Sequence, residues 1–312
     1  MATIQSNQVL LPNEAADLTA ELMQKRKSQL RLIAERFLRN RVSVAGLVVL
    51  LIITLAAIFA PILTHQTALF DPATKTNIFN TLKTPSGAHL LGTDDVGRDE
   101  FARILFGGRV SLLVGVLTMA VAITIGVSIG MLAGFFGGWV DNVMMRFTDA
   151  ILSVPLLLIL IVLSAGFSDG TVKSTVLIIA LLIWPEIARV VRGEFLALKE
   201  REFLLAARTL GAGNLRLMLR HILPNAAGPI IVAATLIVGN AILLESTLSF
   251  FSFGIQPPTA TWGTMLQDSQ SYITSDTLLT LLPGLAILFT VLSVNLMGDG
   301  LRDALDPYMT QR

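Results

Sequence analysis

The chain has 312 residues and a formal net charge of +1, with 53% hydrophobic residues, only 14% charged residues and no cysteine; its mean hydropathy is +0.71. A soluble domain carries about 25% charged residues, so a surface this poor in charge must be covered largely by lipid. The near-neutral balance gives no basic field for nucleic acid, the missing cysteines exclude disulfides and thiolate metal sites, and His65, His89 and His221 are too far apart in sequence for a metal-ligand spacing.

Residues 1–24 are polar and unpatterned, which predicts a disordered cytoplasmic tail. The next stretch, 25–41, is basic, with Leu30, Ile33, Ala34, Phe37 and Leu38 at helical spacing. It reads either as an amphipathic helix along the cytoplasmic membrane surface or as a charged flank of the first span. A spanning helix needs about 20 apolar residues. The uncharged run 42–62 meets this, and its internal position makes it an anchor rather than a secretory signal; with the preceding stretch it forms a unit over 25–63. Residues 64–109 read as an outer loop carrying the charged cluster Arg98, Asp99 and Glu100.

The second span is expected over 110–136, where Gly126, Gly130 and Gly134 form a double small-x₃-small repeat that favours close helix packing. Its partner, this chain or another, is left open by the spacing. A third span over 150–167 contains Pro155, which suggests a kink rather than an end of the helix, with Asp149 entering from the cytoplasmic interface. A shorter run, 174–185, ends at Pro185 and Glu186 and is counted as the fourth; Glu186 is expected to pair locally with Arg189. The fifth lies within 222–244, its first part a loop, and the sixth over 277–297, with Pro283 inside. The five-span core thus covers 110–305 and a short cytoplasmic tail 306–312. The fold class is an all-α membrane protein of six transmembrane helices. With both termini cytoplasmic, 17 of the 23 Lys and Arg residues fall on the cytoplasmic side, as the positive-inside rule requires.

No catalytic set is visible. The chain lacks a G-x-x-x-x-G-K-[ST] phosphate loop, an H-E-x-x-H and a G-x-S-x-G. It is read as a non-enzyme without cofactor or metal, and any ATP must bind to another chain. The cytoplasmic segment 189–224 is long for a linker. It reads as helix, then Gly-Ala-Gly at 211–213, then helix, with Asn214 as N-cap of the second piece. Such a compact knob below the membrane either fills a groove on a partner or lies along the surface as a connector.

The run Glu202-Phe203-Leu204-Leu205-Ala206-Ala207-Arg208-Thr209-Leu210-Gly211, followed by His221-Ile222-Leu223-Pro224, resembles the E-A-A-x₃-G-x₉-I-x-L-P signature of binding-protein-dependent ABC importer permeases. Ala206, Ala207, Gly211, Leu223 and Pro224 match; Leu205 stands at the glutamate position and His221 at the first isoleucine position. Three further segments resemble the dipeptide/oligopeptide/nickel branch of that family, most closely its C-type dipeptide permeases: Leu91 to Asp99, Leu248 to Gly263, and Asn295 to Pro307.

The resemblance implies a type I ABC importer permease of MetI-like fold in the bacterial inner membrane. Its implied partners are a second, homologous permease, two cytoplasmic ATPase subunits that hold ATP and magnesium, and an extracytoplasmic solute-binding protein. It implies that Leu205, Ala206, Ala207, Gly211, Leu223 and Pro224 belong to the ATPase-coupling region. Arg208, Arg216 and Arg220 are candidates for charge contacts to the ATPase or simply topogenic charges. Glu245, near the outer end of the fifth span, either faces the translocation pathway or pairs with an arginine. The implied cargo is di- or oligopeptides, with nickel, glutathione or another small solute as alternatives. An ion-coupled secondary transporter is the competing class, but it calls for an internal repeat that the chain lacks.

Overall fold

The computed structural model describes residues 29–64 and 76–305. The expected disordered tail 1–24 and C-terminal tail 306–312 lie outside these residues. The described residues form helices joined by short connections, and their sole bridge of extended backbone links Thr93 and Asp99.

Helix α1, Gln29–Arg39, carries the amphipathic N-terminal pattern. Asn40 ends it and caps α2, Arg41–Ile58, its side-chain oxygen accepting from the N–H groups of Val42 and Ser43. The expected first span is split near its end: Phe59 turns the chain into the four-residue α3, Ala60–Leu63. Pro61 sits in the first turn of α3, where its missing N–H costs nothing.

Helix α4, Glu100–Phe136, starts ten residues before the expected span, inside the segment read as an outer loop. Asp99 caps it, accepting from the N–H of Ala102 at 2.9 Å. Charge argues against helix there, but Arg103 is buried by pairing with Asp94 and Asp268, and Glu100 is buried one turn away, 4.0 Å from the Arg103 guanidinium. The 37 residues make a rod of about 55 Å, longer than the bilayer's apolar core of ~30 Å.

The expected third span is broken. Helix α5, Gly138–Leu152, and helix α6, Leu156–Phe167, meet at Ser153-Val154-Pro155 with an 85° bend. Pro155 forces the preceding residue out of the helical region, so the break falls where the sequence placed only a kink. Helix α7, Val172–Lys199, is capped by Thr171 and continues well past the expected fourth span, through Pro185 and into the cytoplasmic loop of the sequence reading. Beside its start, Asp169 accepts from the hydroxyls of Ser174 and Thr171, which holds its carboxyl down to about 2.

After the knob come α11, Ala227–Phe250, α12, Trp262–Asp268, and α13, Thr277–Leu305; the knob's own helices, α8 to α10, are taken below. A reciprocal cap between Thr261 and Thr264 starts α12. Five helices are long and apolar enough to cross a membrane, or six crossings result if the bent α5–α6 pair is one.

The main core lies between α4, α7 and α11. The three-glycine repeat packs within the chain. A Cβ on Gly126 would stand 2.7 Å from Ile187 Cβ, one on Gly134 2.6 Å from Phe195 Cβ, and one on Gly130 would strike the Ala188 carbonyl. The backbones of α4 and α7 therefore touch along three turns, which only glycine permits. Nearer the start of α4, Trp262 wedges its ring over Gly108 and donates its indole N–H to the Ile104 carbonyl at 3.0 Å.

Candidate functional site

The knob is built on the end of α7. Arg192 grips Asp141 with two guanidinium nitrogens and Arg189 reaches Asp149 at 2.6 Å. Arg189 is thus taken by α5 and not by Glu186, as the local-pair expectation had it. Two ion pairs and the Gly134–Phe195 contact fasten this part of α7 to α4 and α5.

Arg201 then turns the chain into α8, Glu202–Thr209. Its end is a Schellman motif: the Gly211 N–H donates to the Arg208 carbonyl at 3.0 Å and the Ala212 N–H to the Ala207 carbonyl at 3.1 Å. Gly211 holds φ at +84°, in the region that glycine enters cheaply. The second piece starts as α9, Asn214–Arg216, and its N-cap is Gly213 rather than Asn214, with no side-chain cap. It widens into a π-helical turn, Leu217–Ile222, before α10, Leu223–Asn225. That widening relieves the clash that the Pro224 ring makes with a carbonyl four residues back in a regular helix.

One face of the knob is anchored. Leu204, Leu217, Met218 and Ile222 are buried in the main core, and Ala207, Ala212 and Leu223 pack against it. The other face is bare. Leu210 is 89% exposed and Leu205, at the motif's glutamate position, 50% exposed, and Phe203, Leu215 and Leu219 also face outward. Ala206, Gly211 and Pro224 are exposed on the same short hairpin. Arg208, Arg216 and Arg220 are exposed around it and form no ion pair among the described residues. Large exposed apolar side chains rimmed by charge mark an interaction surface. The sequence reading assigned no role to Leu210, Leu215 or Leu219; their spacing outside the buried stripe of the knob was the available signal.

Glu245 lies within α11, 0% exposed. Its carboxylate accepts from Ser249 Oγ at 2.9 Å and Ser111 Oγ at 3.3 Å, with Ser246 Oγ at 3.5 Å. No arginine reaches it among the described residues. Ser111 also accepts from the Trp262 N–H and Ser249 from the Ile255 N–H, so one carboxylate ties α4, α11, α12 and the loop between the last two.

At the end of the molecule away from the knob, a second polar cluster joins parts far apart in sequence. Arg98 and Arg103 each donate to Asp268 Oδ2 at 2.8 Å, and both also grip Asp94. Burial pushes the Asp95 carboxyl up, and the neighbouring Asp94 and Asp268 charges add to this. The sequence reading saw the charges at 98–100 but not Asp268, which is 170 residues away from Arg98. Among the described residues no group of His, Cys, Asp or Glu is arranged to hold a metal ion.

Two families match this chain: one described as "Binding-protein-dependent transport system inner membrane component" over residues 126–311, the other as "N-terminal TM domain of oligopeptide transport permease C" over residues 28–85. The "Dipeptide transport system permease protein DppC" of Alkalihalophilus pseudofirmus is 41% identical over 271 residues, 87% of this chain and 87% of that protein. The "Oligopeptide transport system permease protein OppC" of Bacillus subtilis is 42% identical over 274 residues, again 87% of each. A "Putative peptide permease protein" of Brucella suis is 42% identical over 276 residues, 88% of this chain and 89% of that one. Among solved structures, a chain of the MetNI methionine ABC transporter in an inward-facing conformation superposes with a TM-score of 0.53 at 17% identity, covering 65% of this chain and 96% of that one. That likeness is one of fold.

Proposed function

The chain belongs to the family of binding-protein-dependent transport system inner membrane components, and from that premise we propose that it forms one half of the translocation pathway of an ABC importer for di- or oligopeptides. The other half is a second, related permease. Two ATPase subunits carry ATP and magnesium on the cytoplasmic side, where both termini lie, and a solute-binding protein delivers cargo from outside the inner membrane. The peptide cargo follows from the relatives whose names carry it, at 41% and 42% identity over most of their length.

The observation that carries the coupling role is the bare face of the knob. Leu210 and Leu215 face water on a hairpin whose opposite face is locked into the α4–α7–α11 core. A partner seated on that face would move the buried face with it, because packed interiors resist compression. Leu205, Ala206, Ala207, Gly211, Leu223 and Pro224 shape this lever, and Arg208, Arg216 and Arg220 offer cations to an acidic rim on the ATPase.

The test is a pull-down of the tagged chain in mild detergent, with mass spectrometry and an ATPase assay on the eluate. A second permease and phosphate-loop ATPases are expected to co-purify. The double change Leu210→Asp and Leu215→Asp is expected to release the ATPases while the second permease stays. Recovery of the chain alone under several mild detergents, or ATPases retained by the double variant, overturns the reading.

A further inference from the structure

Glu186 is the one charge on α7 between Lys173 and Arg189. It directly follows the apolar run that ends at Pro185, and it is exposed. Its expected partner is committed elsewhere, since Arg189 reaches Asp149 and Arg192 holds Asp141. No ion pair to Glu186 exists among the described residues. Its surroundings are apolar: it lines a crevice of about 290 Å³ with Leu152, Val154, Pro155 and Ile183, in which Ser153 is the other polar side chain. The crevice opens at the 85° break between α5 and α6. Ser153, Val154 and Pro155 are exposed there, and the last carbonyls of α5 lie beside the break. Broken backbone at membrane depth is tolerated only where protein covers it or water reaches it. A carboxylate and a helix C-terminus are both negative, and among the described residues no cation lines the crevice, Arg189 one turn along α7 being held by Asp149.

We propose that this crevice is a cargo subsite in the translocation pathway, with Glu186 receiving the α-ammonium group of a peptide. The inference rests on the permease reading above and names the group of the cargo that is recognised. The volume falls at the small end of ligand sites, roughly 300–1,000 Å³, which suits one terminal residue of a peptide rather than the whole. The apolar walls accept side chains of many kinds, while the carboxylate reads the one charge that every unblocked peptide carries at its start. An ammonium on a carboxylate in apolar surroundings makes a charge-assisted hydrogen bond, stronger than a neutral one.

The chain has no cysteine, so one introduced thiol reports alone. The experiment uses the chain assembled with its partner subunits, themselves freed of cysteine, in lipid nanodiscs, carrying Ser153→Cys. A water-soluble maleimide is expected to label the thiol. Alanyl-alanine is expected to slow labelling, and N-acetyl-alanyl-alanine is not. With Glu186→Gln added, the alanyl-alanine concentration that halves the rate should rise about tenfold, the loss expected when a charge-assisted hydrogen bond goes. Glu186→Asp should keep most of the protection. A thiol that is never labelled, equal protection by both peptides, or protection unchanged by Glu186→Gln overturns the subsite. So does dissociation of the complex on Glu186→Gln, which assigns the carboxylate to a cation of the second permease. ATP-driven uptake of alanyl-alanine, measured in parallel, separates the two readings: no uptake with the labelling pattern intact counts against peptide transport and not against the subsite.

Discussion

Gly211 illustrates how one residue sets the shape of the knob. A Cβ built there meets nothing within 4 Å, yet φ is +84°. The requirement is therefore conformational and not steric. Gly211→Ala should destabilise the knob by roughly 1–2 kcal/mol, the cost of a left-handed residue with a Cβ. Amide exchange over residues 202–216 should accelerate about 5- to 30-fold. Gly211→Trp should cost no more than Gly211→Ala in the chain alone, because the space is open, and lose coupling only in the assembled transporter. A much larger loss with Trp in the isolated chain would mean that the space is filled. Glu245 shows the opposite case. Its type and position made it conspicuous in the sequence, but the serines that hold it come from α4 and from its own helix. Whether it meets a pathway, an arginine or hydroxyls is a question of what lies opposite, and no local pattern records that.

The element scale is where α4 and α7 define the molecule. The glycine repeat at 126, 130 and 134 announced a close contact without naming its partner. The partner is the stretch of α7 from Trp184 to Phe195 of the same chain. Gly130→Val should overpack this contact and cost about 1–3 kcal/mol. The readout is a lower Tm for the isolated chain in detergent. An unchanged Tm there, with loss only in the complex, would move the contact to a subunit interface. The elements misjudged from sequence share a cause. Charge sets the outer-loop reading up to residue 109 and the end of the fourth span at Glu186, but α4 begins at Glu100 and α7 runs unbroken through Glu186 into the helix expected beyond 189, with Arg103 and Arg192 held in ion pairs. Pro155 was read as a kink and ends a helix, whereas Pro185 sits inside α7 without breaking it. A proline tells that a hydrogen bond is missing, while neighbours decide whether the helix survives it.

For the whole molecule, the chain returns to its starting end. Phe37 of α1 lies beside Gly300 of α13, and Leu305 beside Gly228, just past the knob. The first and last described helices thus meet at the knob end, the arrangement that an even number of crossings produces. This fits six crossings when the bent α5–α6 pair is one. The side of the membrane is a separate matter, which the distribution of Lys and Arg addresses. Single cysteines at Gly213→Cys and Ala88→Cys, read by an impermeant maleimide in right-side-out and inverted vesicles, should label from opposite faces, the first from the cytoplasm. Labelling of both from one face would refute the topology. The sequence alone determined that this is a helical membrane protein, where its apolar runs lie and which motif carries the knob, because hydropathy, glycine and the signature spacing are local properties of the chain. Only the tertiary structure decided that the leucines of the knob face outward, that Asp268 holds Arg98 and Arg103, that serines and not an arginine surround Glu245, and that Glu186 is left with an apolar crevice. Each of these depends on which side chains the packing brings together across tens or hundreds of residues, and a pairing at that separation leaves no periodic trace in the sequence.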